Sequence, residues 1–204
     1  ELDSQPVTHP RAHEAVVLGL RTSWLEAGDP TAPPVVLLHG LGATNASMLP
    51  LLADLSHDHR VLAPDAPGFG SSEAPPASYS SAWFAAWVEA FQARTHTRGA
   101  VLIGNSMGGR IALEAGLAHA SSVRALVLLS PSPAFRRLRQ YVPLVRVLSP
   151  QLARMPLPPL PHRLVIEGIR GMMSVPERLP EAWYDAAADE AVRVFRSPAH
   201  RVAF

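Results

Sequence analysis

An α/β fold built on a mostly parallel sheet is predicted by two features of this sequence. Four short runs, Val35–Leu38, Arg60–Ala63, Ala100–Ile103 and Val123–Leu129, lack the apolar/polar alternation of a half-solvated strand and suit strands buried on both faces. Between them lie stretches of helical length, Met48–Ser56, Ser81–Thr95 and Met107–Ala118. Strands alternating with such helices indicate right-handed βαβ crossovers.

Taken in order, His13–Leu20 (HEAVVLGL) and Thr22–Ala27 (TSWLEA) read as two strands joined by a turn around Gly19–Arg21, and Gly28–Pro34 (GDPTAPP) as a loop. The strand VVLL runs into His39-Gly40-Leu41-Gly42-Ala43, whose glycines allow close backbone approach to a ligand and leave the Leu41 N–H free to point at it. His39 reads as a structural histidine supporting this loop rather than as a base. The strand RVLA runs into Asp65-Ala66-Pro67-Gly68-Phe69-Gly70-Ser71-Ser72, where a carboxylate more often organises the backbone amides of its own turn than acts as an acid.

The third strand leads into Gly104-Asn105-Ser106-Met107-Gly108-Gly109. A serine between glycines is commonly a plain turn, but G-x-S-x-G at a strand-to-helix junction is also the nucleophile elbow. The chemistry needs that spacing because a sharp corner holds the serine in a strained backbone and neighbouring side chains would collide there. The corner projects the Ser106 hydroxyl clear of the sheet. It also sets the Met107 N–H, at the positive end of the following helix, beside any charge that develops on a bound carbonyl.

The order strand-HGLG, strand-DAPGFGSS, strand-GNSMGG resembles the α/β-hydrolase fold family, strongly over residues 14–132 and only in general character beyond. The resemblance implies a mostly parallel core sheet with helices on both faces and a helical cap. It implies Ser106 as nucleophile and the backbone N–H groups of Leu41 and Met107 as the oxyanion hole. Serine rather than aspartate at the elbow argues against a dehalogenase or epoxide hydrolase. A carboxylic ester or thioester hydrolase is expected first, and a C–C bond hydrolase of ring-cleavage products, suggested by GNSMGG, second. The loop HGLGAT lacks the Gly-Pro-Gly extension frequent in the latter. Neither metal nor organic cofactor is implied, and the expected partner is a small-molecule acyl substrate.

Composition changes near Pro131. Residues 1–132 carry 7 Arg against 11 acids, and residues 133–204 carry 11 Arg against 6 acids. The expected division is therefore a core over 1–132 and a cap region over 133–204. In the latter Phe135, Leu138, Val142 and Val145 recur at helical spacing, PLPPLP (156–161) is a link, and His162–Met173 and Glu177–Phe195 are further helices. Leu144, Met155, Met172, Met173 and Trp183 are candidates for an acyl pocket, though core packing of the cap explains them as well. The basic second part suits a solvated helical face better than an anionic surface. Arginines scattered among prolines, without stacking aromatics or a recognition motif, give a nucleic-acid interface little support, and none is expected. No apolar run is as long as a membrane span, no signal-peptide core opens the chain, and a cytoplasmic location is expected. The absence of cysteine excludes disulfides and thiolate metal sites.

In this fold the triad runs Ser, then Asp or Glu, then His. No late apolar strand followed by an Asp, nor a loop His, follows Ser106. His119, His162 and His200 lie in helical or Pro-flanked contexts, and Glu167, Asp185 and Asp189 are equally poor candidates for the acid. Three explanations stay open at this point: the first part of a longer hydrolase, a remainder supplied by another chain, or a non-catalytic fold that binds a small apolar ligand. The first also explains an apolar edge left on the strand VRALVLL.

Overall fold

The computed structural model describes residues 9–76, 79–131, 161–171 and 176–196. Strands β1 (Arg11–Val17) and β2 (Leu20–Ala27) form an antiparallel hairpin. Its turn falls on Leu18–Gly19 rather than Gly19–Arg21, because both of these residues take positive φ, 51° and 78°. There follow β3 (Pro34–Leu38), α1 (Leu49–Leu55), β4 (Arg60–Pro64), α2 (Ser81–Thr95), β5 (Ala100–Asn105), α3 (Met107–Ala118) and β6 (Val123–Leu129). Helices α4 (His162–Gly171) and α5 (Glu181–Arg196) come last.

The strands make one six-stranded sheet in the order β1-β2-β4-β3-β5-β6. β3 pairs in parallel with both β4 and β5, β5 in parallel with β6, and β2 antiparallel with β4. Successive side chains of a strand point to opposite faces, and here both faces are covered. Val36, Leu38, Leu62 and Leu102 pack with Phe84, Trp87, Phe91 and Ile111 of α2 and α3. Val35, Leu37, Val61, Ala63 and Ile103 pack on the other face with Met48 and with Leu52 of α1. This double burial is why these strands read as unbroken apolar runs.

β6 departs from the expectation of burial on both faces. Leu126 and Leu128 pack against the α2/α3 side, but Val127 and Leu129 are 42% and 44% exposed. It is the outer strand among the described residues, paired only to β5. The ranges of α2, α3 and β6 agree with the sequence reading. α1 is preceded by a 3-10 turn at Asn45–Met48, and the helix expected over 177–195 begins instead with a 3-10 turn at Pro176–Arg178 before α5. Pro180 explains the break: it forces its predecessor out of helical geometry and suits a helix start. Phe135, Leu138, Leu144, Met155, Met172, Met173 and His200 lie outside the described residues.

Candidate active site

β5 delivers the chain to Ser106, which has φ 52° and ψ −109°, and α3 starts at the next residue. A non-glycine residue held there is strained by about 1–3 kcal/mol. The glycines around it are required by space. A Cβ on Gly104 would stand 2.3 Å from the Gly108 carbonyl oxygen, and one on Gly108 would stand 2.0 Å from the Leu38 carbonyl oxygen. Both collisions are with backbone, so neither can be relieved by a side-chain rotation. The corner is tied to the neighbouring strand: the Ser106 N–H donates to the Leu129 carbonyl at 2.9 Å. The Ser106 carbonyl in turn accepts from Arg110 N–H at 3.1 Å in the first turn of α3. Ser106 is half-buried and Asn105 exposed.

The loop after β3 lies against this corner. A Cβ on Gly40 would stand 3.6 Å from both Ser106 Cβ and Asn105 Nδ2, ordinary van der Waals contact. His39 is buried beneath the loop. Its Nε2 accepts from the Ala66 N–H at 3.0 Å, so the proton of the neutral ring sits on Nδ1, which donates to the Gly40 carbonyl at 2.8 Å. Burial pushes its pKa below the usual histidine value, against smaller opposing effects of the Gly40 carbonyl and the Asp65 carboxylate. A trans peptide sets C=O and N–H in opposite directions, and no peptide bond is cis among the described residues. Holding the Gly40 carbonyl on His39 therefore turns the Leu41 N–H away from the imidazole. Among the described residues, neither the Leu41 nor the Met107 N–H has a hydrogen-bond acceptor. Leu41 itself is 49% exposed.

The third loop is held by Asp65. Its Oδ1 accepts from the Asn45 N–H at 2.7 Å and its Oδ2 from the Ser71 N–H at 2.9 Å, while its carbonyl accepts from Ser72 Oγ at 2.7 Å. A Cβ on Gly70, where φ is +54°, would stand 2.2 Å from Asp65 Cγ. Each carboxylate oxygen thus accepts one backbone N–H, bracing two loops, as the sequence reading of a turn-organising Asp expects.

No histidine side chain hydrogen-bonds to Ser106 among the described residues, and His39, the histidine beside the site, is held by Ala66 and Gly40. His119 follows the far end of α3, on the order of 20 Å along the helix from Ser106 at 1.5 Å per residue. His162 on α4 does meet an acid, its Nε2 lying 3.1 Å from Asp189 Oδ1 on α5. That pair joins α4 to α5, and both of its members were poor candidates on sequence. Arg170 spans the same helices, paired with Glu181 and lying 4.8 Å from the centre of the Tyr184 ring. Glu167 and Asp185 are exposed on α4 and α5. Trp183 is 40% exposed and set edge-on to Tyr184.

Residues 33–154 match the family model for the alpha/beta hydrolase fold. The chain belongs to the α/β-hydrolase fold family. Among curated relatives of this α/β-hydrolase chain, a pimeloyl-[acyl-carrier protein] methyl ester esterase of Shewanella sp. strain MR-7 is 37% identical over 103 residues, 50% of this chain and 36% of that protein. A 2-hydroxymuconate semialdehyde hydrolase of Pseudomonas sp. strain CF600 is 36% identical over 121 residues, 57% of this chain and 42% of that protein. The matches thus span well under two thirds of either relative. Among solved structures, an esterase from Rhodococcus sp. ECU1013 superposes with a TM-score of 0.74 at 26% identity, over 94% of this chain and 71% of its own. No described helix of the α/β-hydrolase chain is long and apolar enough to cross a membrane.

The site also holds residues that pattern reading passed over. Ser130, in the SPSP run after β6, has φ 45° and lies one residue beyond the rung that pairs Asn105 with Leu129. The signal available was weak: a serine before a proline at a strand end predicts a turn, not a left-handed residue.

Proposed function

We propose that this chain carries the nucleophile and oxyanion-binding part of a serine hydrolase acting on a carboxylic ester or thioester. One observation supports it above others: the strained Ser106 corner stands against the Gly40–Leu41 loop. The two uncommitted N–H groups, of Leu41 and Met107, flank that corner from separate elements, as an oxyanion hole needs. In the proposed reaction the Ser106 Oγ attacks the acyl carbonyl, passing its proton to a general base. The tetrahedral oxyanion is held by the Leu41 and Met107 N–H groups together with the positive end of α3. Collapse expels the alcohol or thiol and leaves an acyl-enzyme, which water then hydrolyses. Residues 1–132 form the core and 133–204 the cap region over the site in this reading. The triad acid and histidine are left unassigned: His39 and Asp65 are engaged in loop hydrogen bonds, and His162 pairs with Asp189.

A second reading, C–C bond hydrolysis, is favoured by the 36% identity to the semialdehyde hydrolase and by the local likeness of GNSMGG to such enzymes. The first test is intact-protein mass after incubation with a fluorophosphonate, with Ser106→Ala as control. One adduct that disappears in Ser106→Ala supports the acyl-enzyme chemistry. Absence of an adduct on folded protein of 21.9 kDa refutes the claim that this chain is itself a hydrolase and puts a ligand-binding fold first. Parallel turnover of nitrophenyl esters and of a vinylogous diketone then separates ester from C–C cleavage.

A further inference from the structure

We propose that the segment Leu129–Ser130–Pro131 is a brace for the nucleophile elbow and that Ser130 is its positioning residue. The inference rests on Ser106 being the nucleophile.

Two contacts bracket Ser130. On its N-terminal side the Leu129 carbonyl accepts the Ser106 N–H at 2.9 Å. On its C-terminal side Pro131 seats against α3: a Cβ on Gly109 would stand 3.0 Å from Pro131 Cβ. One flank thus grips the corner residue itself, and the other grips the first turn of the helix that follows it. Ser130 joins them with φ 45°, a left-handed conformation that a side chain disfavours. Glycine would adopt it freely, and a residue before proline is restricted further. Yet the chain carries a side chain here, at the carboxyl end of a strand, where ligands gather on sheets of this kind.

The cost has a physical use. A Cβ removes most of the backbone conformations that glycine would sample, and Pro131 removes more. The distance from the Leu129 carbonyl to Pro131 is then held by a stiff residue. The Leu129 carbonyl cannot drift along the Ser106 N–H without breaking the seat of Pro131 on α3. Ser130 so acts through Ser106, fixing the corner from which the Oγ attacks and the Met107 N–H is presented. Its hydroxyl is not required for this. The backbone restriction is what matters, which separates the brace from a substrate contact made by the side chain.

The test uses Ser130→Gly, Ser130→Ala and Ser130→Asn in the intact protein. It reads denaturant midpoint, kcat and KM for p-nitrophenyl butyrate, and the rate of fluorophosphonate labelling of Ser106. Ser130→Gly is expected to raise the midpoint by relieving the left-handed strain, yet to lower kcat and the labelling rate about tenfold with KM changed by less than about twofold. Ser130→Ala retains the restriction and Asn tolerates left-handed geometry, so both are expected to keep kcat within about twofold of wild type. Greater stability with slower chemistry is a combination that a merely structural role would not produce. Wild-type kcat in Ser130→Gly overturns the brace, as does a lowered midpoint. Equal slowing in Ser130→Gly and Ser130→Ala overturns it in favour of a hydroxyl that touches substrate. A wild-type protein inert to both ester and fluorophosphonate overturns the hydrolase reading and the brace together, whereas labelled wild type with unaffected variants sinks the brace alone.

Discussion

Replacing His39 by leucine removes two hydrogen bonds while keeping a side chain of similar bulk against Phe69. The structure sets the magnitude. His39 is 1% exposed, and its ring nitrogens satisfy the Ala66 N–H at 3.0 Å and the Gly40 carbonyl at 2.8 Å, both groups in buried residues. Leaving a buried polar group without a partner costs about 1–3 kcal/mol. The variant should therefore lose about 2–6 kcal/mol, against a total of about 5–15 kcal/mol for an ordinary domain. The loss also depends on pH. Burial lowers the His39 pKa in the folded protein, so below the usual value near 6.5 the unfolded chain binds a proton that the folded chain refuses. Wild type has this contribution in full above that pH and loses it as the pH falls towards the folded pKa. His39→Leu has none to lose, so its deficit relative to wild type should narrow between pH 8 and pH 5.5. The assay is urea unfolding of both proteins across that range, with fluorophosphonate labelling at pH 7.5. Freed from His39, the Gly40–Leu41 peptide can rotate, and labelling should slow by about 10²-fold if the Leu41 N–H is an oxyanion donor. A deficit below about 0.5 kcal/mol would refute the account of the two hydrogen bonds, because surface changes alone reach that size. A deficit constant with pH would refute the neutral buried ring. Wild-type labelling in a folded variant would remove Leu41 from the oxyanion hole.

Other substitutions probe the remaining supports. Ser106→Gly should abolish the fluorophosphonate adduct yet raise stability by about 1 kcal/mol, since glycine tolerates the corner's φ of 52°; a lowered unfolding midpoint would contradict the strain. Gly108→Ala forces a Cβ to within 2.0 Å of the Leu38 carbonyl oxygen and should cost about 3 kcal/mol or more, read by denaturant unfolding. Gly168→Ala meets open space within α4 and should instead stabilise that helix by up to about 1 kcal/mol, read by the amide-exchange protection of α4. Asp65→Ala strips the acceptors from the Asn45 and Ser71 N–H groups and should cost about 2–4 kcal/mol of stability. Labelling of whatever Asp65→Ala protein remains folded should slow less than in His39→Leu, because this carboxylate holds the loop at Asn45, beyond Leu41, and transfers no proton.

Much of the core is legible in the sequence. Continuous apolar runs announced strands covered on both faces, and the observed split of Val35 and Leu37 from Val36 and Leu38 onto two cores is that same property in three dimensions. Helices α2 and α3 were readable to the residue because each has a sharp local start: Ser80 caps α2, its Oγ accepting from the Trp83 N–H, and the Ser106 corner opens α3. β6 was misjudged. Its composition matches that of its neighbours, but burial depends on what packs on the strand, and its outward residues Val127 and Leu129 are partly exposed. The break before α5 was also missed, since helical periodicity continues across Pro180 while backbone geometry does not.

The candidate site divides in the same way. Local chemistry in the sequence by itself determined the strand-to-helix corner at Ser106, the glycines that let it form, and the roles of His39 and Asp65 as loop supports. Each of these is announced by a local pattern, a Gly-flanked serine or a His or Asp at a strand end, although the contacts that realise them, Ala66 on His39, Asn45 on Asp65 and Leu38 against Gly108, come from other segments. Tertiary structure alone decided that the Gly40 loop stands against Ser106, that Leu129 and Pro131 grip the elbow from a neighbouring strand, and that His162 meets Asp189 across α4 and α5. Those pairings join segments tens of residues apart. They follow from sheet order and helix packing, whose free energy is summed over the whole core and is not written at any one position.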